Sequence, residues 1–238
     1  MILQHLYGIG VVALTAILMY VGIRFVGRYL REGKRPALYI GPSFLIMSIS
    51  LLPNLAEYVA FLVGTNIDVS ALLYLSASCV GISMVPWCRL LSVLNRRWNV
   101  LFLAAVSLLI AYLLSIMFLP GQLSFVPNEA GFLFYKIEMP ASIFLVALFV
   151  VALTIVIGLM NVGLKDRCST CGPTIFLFAV GCLLFLIFII LMQTGILSST
   201  AWIIITAFTS VIFIISFHLP KFLIKIWIKK PPQQITSK

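Results

Sequence analysis

Seven long apolar segments follow one another along this chain, each about as long as a bilayer crossing requires. A transmembrane helix takes about 20 mostly apolar residues. The candidate spans are residues 5–27, 37–64, 70–94, 100–119, 137–163, 174–191 and 201–218. In hydrocarbon only helices and closed barrels satisfy their backbone groups, and these runs lack the alternating polarity of barrel strands. The sequence therefore predicts an all-α membrane protein, a seven-transmembrane helical bundle over residues 1–220, followed by a cytosolic tail at 221–238.

Charged residues make up only 9% of the 238 positions. Soluble domains carry about 25%, so an ordinary globular protein is excluded. Seven spans with short connections use nearly the whole chain and leave no room for a second, soluble catalytic module.

The positive charges lie on alternate connections between the spans. Of the 16 Lys and Arg residues, 15 lie at these connections or in the tail, and Lys136 alone lies on the other side. By the positive-inside rule the alternate connections are cytosolic. We therefore expect a multi-pass protein of the cell membrane with an extracellular N-terminus and a cytosolic C-terminus. Because the net charge of +10 is spread between spans, it indicates contact with lipid and not with nucleic acid.

The tail predicts a surface-lying amphipathic helix. Lysines at i, i+4 and i+8 form one stripe, and apolar residues occupy the remaining face. Such a helix binds an anionic inner leaflet, although the segment could instead continue the last span. The candidate membrane-surface residues are Lys221, Lys225, Lys229, Lys230 and Trp227.

Glu57 is the clearest ionisable residue inside a predicted span, and such residues are functional candidates by default. Ser43, Ser50 and Glu57 recur at intervals of seven on one helix face, so this face should point into the bundle. Pro53 predicts a bend one turn earlier. Three interpretations stay open: a structural hydrogen-bonding role, ligand binding or proton sensing in an outward-facing pocket, and an ion path. The candidate ligand-binding residues are Glu57, Ser50, Lys136 and His5.

The connection at 120–136 differs from the other outer loops. Two short β-prone runs flank a turn that contains Pro127 and Gly131, which favours a hairpin covering the outer face. The alternative is an unstructured loop with interfacial aromatic residues.

Small residues form a stripe on the third span, with Ala77 and Gly81 as a small-xxx-small pair. Such stripes let helices approach closely, so helix packing is the main interpretation. A ligand-facing wall is the alternative.

Signs of a metal site or of catalysis are few. Cys168 and Cys171 form a CxxC pair, a weak metal candidate, since a structural zinc site needs four ligands and no second pair completes it. The two histidines, His5 and His218, lie at opposite faces. Hydrolase, metalloprotease and P-loop motifs are absent from the sequence. We expect a protein that is not an enzyme and carries no cofactor.

A resemblance links the chain to the seven-transmembrane sensor region of prokaryotic histidine kinases. It rests on the basic loop after the first span, on Asn54, Glu57 and Tyr58 in the second, and on Tyr74 and Pro86-Trp87 in the third. The resemblance implies an outward-facing ligand pocket. No output domain follows Lys238, so the resemblance implies a signal passed to a separate partner.

Together these features favour a non-catalytic, receptor-like or scaffold membrane protein that works through a protein partner or as a homo-oligomer. Two alternatives remain: an accessory subunit of a larger membrane complex, and a small transporter or channel. Transporters often contain paired broken helices, and Pro53 and Pro86 are candidate breaks.

Overall fold

A computed structural model of the protein describes residues 2–33, 35–94, 98–127 and 130–165, with a few isolated positions between 176 and 212. The described chain is mostly helical. Its elements are α1 (Ile2–Glu32), α2 (Arg35–Ile49), α3 (Leu52–Val63), α4 (Ser70–Leu94), α5 (Asn99–Phe118), β1 (Leu123–Pro127), β2 (Leu133–Ile137) and α6 (Ala141–Lys165). Apart from those isolated positions, the predicted sixth and seventh spans lie outside the described residues, as does the whole tail.

In the described part of the chain, five helical segments are long and apolar enough to cross a membrane. They are Ile2–Glu32, Leu38–Val63, Ser70–Leu90, Asn99–Phe118 and Ala141–Gly158. The prediction of a mostly helical protein with helices long and apolar enough to cross a membrane is thereby confirmed, and these five helices coincide with the first five predicted spans. The fifth span begins at Ala141 and not at residue 137, because Ile137 pairs in strand β2.

The second span consists of two helices, as the bend predicted at Pro53 suggested. Helix α2 ends at Ile49, a turn follows at Ser50 and Leu51, and Pro53 lies in the first turn of α3. Proline has no N–H to donate to the carbonyl four residues earlier, and its ring crowds that carbonyl. The series of backbone hydrogen bonds along the second span is therefore interrupted just before Pro53. Pro86, by contrast, lies inside a continuous α4.

Helix α4 occupies the centre of the bundle, against α2, α5 and α6, while α1 packs on α2 and α3. The Tyr112 ring of α5 packs against the small-residue stripe of α4. The Tyr112 hydroxyl donates to the Ala77 carbonyl at 2.9 Å, and a Cβ at Gly81 would lie 3.0 Å from the Tyr112 ring. Packing, the main interpretation of this stripe, is confirmed.

The long connection between α5 and α6 forms the predicted hairpin. Strands β1 and β2 pair antiparallel, with Phe125 opposite Tyr135 and Pro127 opposite Leu133. Tyr135 and Ile137 are buried, whereas Lys136 is exposed. This alternation shows that one face of β2 packs against the helices.

Candidate functional site

Glu57 lies on the polar and aromatic face of α3 and reaches the hairpin. Spacings of three and four residues put Asn54 and Phe61 beside it on the helix surface, and Tyr58 is the next residue along the chain. The backbone N–H of Leu133 donates to Glu57 Oε1 at 3.0 Å. Glu57 Oε2 is buried, and no described residue makes a hydrogen bond to it. One half of this carboxylate therefore holds the hairpin, and the other half has no protein partner within the described chain.

Aromatic side chains surround the point where the hairpin meets the helices. The ring of Phe132, next to Leu133, stacks on Tyr7 of α1 with centroids 5.1 Å apart. It also lies edge-on to Phe61 at 6.1 Å. Tyr7, Tyr58 and Phe132 are buried in one cluster together with Val11 and Ala130. We call Tyr7, Tyr58, Phe61 and Phe132 the aromatic cluster.

Two further contacts fix the position of α1 at this cluster. The Asn54 side-chain amide donates to the Tyr7 hydroxyl at 2.7 Å, and both groups are buried. Gly8 lies directly beneath the Tyr58 ring, where a Cβ would come within 2.0 Å of a ring carbon. Only glycine lets the ring lie this close to α1.

A second set of polar contacts joins β2 to the break in the second span. The Ser76 hydroxyl of α4 donates to the Ser50 carbonyl, in the turn between α2 and α3. The Tyr135 phenol shares a hydrogen bond with the same Ser76 side chain. Burial raises the pKa of Tyr135 to about 12, so the phenol keeps its proton at neutral pH.

The four predicted ligand-binding residues are only partly brought together. The His5 ring lies against Phe61 at 5.3 Å and Tyr58 at 6.4 Å, beside Glu57 on α3 but without an ion pair to it. Ser50 is at the helix break, and its hydroxyl donates to the Met47 carbonyl at 2.7 Å. Ser43, in α2, is buried and its hydroxyl donates to the Ser83 carbonyl, so this residue of the predicted polar face points into the bundle, whereas Ser50 and Glu57 lie beyond the end of α2.

Lys136, another of the candidate ligand-binding residues, pairs with Glu138. Its Nζ lies 3.1 Å from Glu138 Oε1, and the Ser124 hydroxyl donates to that oxygen at 3.0 Å. Hydrogen bonding to Lys136 and then to Ser124 lowers the pKa of Glu138. The spacing of two residues puts both side chains on one face of an extended strand, a signal that the sequence already contained.

Other contacts at the site had weaker signals in the sequence. The Leu133 donor is a backbone group, so side-chain patterns do not mark it. Tyr7, Asn54 and Tyr135 are polar residues within apolar segments. Buried polar groups are nearly always hydrogen-bonded, so partners were to be expected, but their identity depends on how the helices are rotated.

Several of the predicted site residues lie outside the part of the chain that the structure describes. Within the described ranges, no group of three or more His, Cys, Asp or Glu side chains could hold a metal ion. The weak metal candidates and the membrane-surface residues lie beyond these ranges: Cys168, Cys171, Lys221, Lys225, Trp227, Lys229 and Lys230.

Comparison with protein families, curated proteins and solved structures finds no match for this chain.

Proposed function

We propose that this chain is a seven-span protein of the cell membrane, with its N-terminus outside, that acts as a non-catalytic receptor-like or scaffold protein. Its outer hairpin would respond to an extracellular ligand near Glu57, and a partner on the inner side would receive the response. The hydrogen bond from the Leu133 backbone to Glu57 carries this proposal. It ties the hairpin to a carboxylate on a membrane-spanning helix.

The contacts of β2 support a role in transmission. At Leu133 the strand is bound to Glu57 in α3. At Tyr135 it is bound to Ser76, which in turn holds the Ser50 carbonyl at the start of α3. One strand is therefore connected to α3 and to the turn that separates α3 from α2. A displacement of the hairpin would be passed to the break, where the interrupted ladder makes hinge motion least costly.

The helix break favours this role over transport. In transporters with inverted repeats, broken helices occur in corresponding positions of two halves. In the described chain the second span is broken before Pro53, while α4 runs unbroken through Pro86. The described spans thus offer one broken helix where paired repeats need two.

The test has two parts. The protein is purified in a mild detergent and examined by native mass spectrometry, where we expect a complex of fixed stoichiometry with another protein or with itself. A protein that is only monomeric would contradict the partner role. The protein is then reconstituted into proteoliposomes to measure solute flux in wild type and Glu57→Gln. Flux that disappears in the variant would overturn the proposal in favour of a transporter.

A further inference from the structure

Glu57 has no cationic partner among the residues that the structure describes. Lys136 pairs with Glu138, and His5 contacts the rings of Phe61 and Tyr58. The described arginines of α1 and α4 lie towards the C-terminal ends of these helices, whereas the aromatic cluster includes Tyr7 near the N-terminal end of α1. These arginines are Arg24, Arg28, Arg31 and Arg89. A carboxylate inside a membrane span without a cation bears the full cost of its desolvation. A positively charged group that joined it would remove this cost.

The surroundings of Glu57 suit one kind of cation. Aromatic faces attract cations within about 6 Å of the ring centre, by about 0.5–2 kcal/mol per ring. Tyr58 and Phe61 belong to α3, as Glu57 does, Phe132 precedes the Leu133 that bonds to the carboxylate, and Tyr7 stacks on Phe132. Phe61 is only partly buried, so it marks the side from which a ligand can approach.

We propose that Glu57 and the aromatic cluster bind the ammonium group of a small organic amine. The inference deepens the proposed function, on which it rests, by naming the ligand class. Glu57 Oε2 accepts a hydrogen bond from the ammonium N–H, while Oε1 keeps its bond to the Leu133 backbone. The rings contact the carbon atoms next to the nitrogen and attract its positive charge. His5 lies at the edge of the site against Phe61.

A hard metal cation fits this site poorly. Ca²⁺ takes six to eight oxygen ligands, and Mg²⁺ takes an octahedron of oxygens. Glu57 supplies one oxygen that has no described partner, and the neighbouring groups are mostly aromatic carbon. An ammonium needs one carboxylate and apolar contact, which these residues provide.

The experiment measures the melting temperature of the purified protein in lipid nanodiscs at pH 7 with three probes. n-Butylammonium has the proposed ammonium N–H, 1-butanol is its neutral counterpart, and tetramethylammonium is a cation without N–H. We expect n-butylammonium to raise the melting temperature and 1-butanol to leave it unchanged. A larger effect of n-butylammonium than of tetramethylammonium is expected, because only the former donates to Oε2.

Two variants complete the design. Glu57→Gln keeps an oxygen for the Leu133 N–H but removes the charge, so the apparent affinity for n-butylammonium should fall about tenfold or more, as loss of a charged hydrogen-bond partner implies. Glu138→Gln removes another carboxylate of the hairpin and should bind as wild type does. A melting temperature equal to or above that of the wild type, together with unchanged hairpin amide exchange without probe, will show that Glu57→Gln is folded.

The results separate this inference from the proposed function. If n-butylammonium does not stabilise the wild type, if Glu57→Gln binds it equally well, or if tetramethylammonium binds as tightly, the ammonium inference is wrong while a partner complex can still be intact. If the protein binds n-butylammonium but is only monomeric, the partner role is wrong and the binding site stands.

Discussion

The backbone N–H of Leu133 lies 3.0 Å from Oε1 of Glu57, joining residues 76 positions apart. Leu133 is the first residue of β2, opposite Pro127 in the last pair before the hairpin turn. The carboxylate therefore holds the hairpin at its tip end. Tyr135, further along the strand, is held separately by Ser76.

Removing the Glu57 acceptor should loosen the tip of the hairpin. A hydrogen bond to a charged group contributes about 1.5–3 kcal/mol, so in Glu57→Ala we expect the Leu133 amide to exchange about tenfold faster or more. Hydrogen–deuterium exchange followed by mass spectrometry of the 130–137 segment measures this. The Glu57→Gln variant keeps an acceptor and should exchange much like wild type. Equal exchange in Glu57→Ala would show that the bond does not hold the hairpin.

Gly8 should be the least replaceable of the small residues in α1. A Cβ there would come within 2.0 Å of the Tyr58 ring, and overpacking of this kind costs about 1–3 kcal/mol. We expect Gly8→Ala to lower the unfolding free energy by that amount in mixed micelles. Gly27→Ala, in the same helix, is the matched control, since its Cβ would have nothing nearer than Arg31 Nη2 at 3.8 Å. Equal stability of the two variants would contradict the close packing of Tyr58 on α1.

Ionisation of Tyr135 at alkaline pH should lower the free energy of unfolding. Burial raises the pKa of its phenol from 10.0 to about 12. A group whose pKa is raised by folding contributes stability that is complete below the unfolded value and is lost as the pH rises through the folded value. The contribution of Tyr135 should therefore be complete up to about pH 10 and be lost towards pH 12.

The measurement is the tyrosinate absorbance of wild type minus that of Tyr135→Phe, which should show one step near pH 12. At neutral pH the variant should lose about 1 kcal/mol of unfolding free energy, because one buried hydrogen bond to Ser76 is missing. Ser124→Ala, which changes a partly exposed hydroxyl of the same hairpin, should lose less. A step near pH 10 in the difference curve would show that Tyr135 is not buried.

The five long apolar helices could be read from the sequence, because few structures satisfy a polar backbone in hydrocarbon. Runs of about 20 apolar residues become helices there whatever their neighbours are. The hairpin could also be read, since Pro127 and Gly131 separate two β-prone runs. The start of the fifth span was misplaced because an apolar residue such as Ile137 suits a strand as well as a helix.

The contacts of Glu57 could be predicted only in part. The spacing of Ser43, Ser50 and Glu57 predicted one inward face, but the break at Ser50 and Leu51 divides these residues between α2, the turn and α3. That the partner of Glu57 is the Leu133 backbone does not follow from the sequence, because any N–H brought near would serve. Lys136 was a possible cationic partner of Glu57 by charge, but Glu138 lies two residues away, just after β2, and forms the pair at 3.1 Å. A nearby partner in sequence forms its pair at a lower cost in chain entropy than a distant one.

The orientation of the bundle is the prediction on which the proposed function most depends. In a variant whose native cysteines are replaced, Ser124→Cys places a thiol on the hairpin and Glu32→Cys places one at the end of α1, in the basic connection. If the positive-inside rule holds here, a membrane-impermeant maleimide will label residue 124 in intact cells and residue 32 only after permeabilisation. Glu32 is exposed, so failure to react in intact cells reflects the side of the membrane and not burial. The reverse pattern would put the hairpin in the cytosol, and an extracellular ligand could then not reach Glu57.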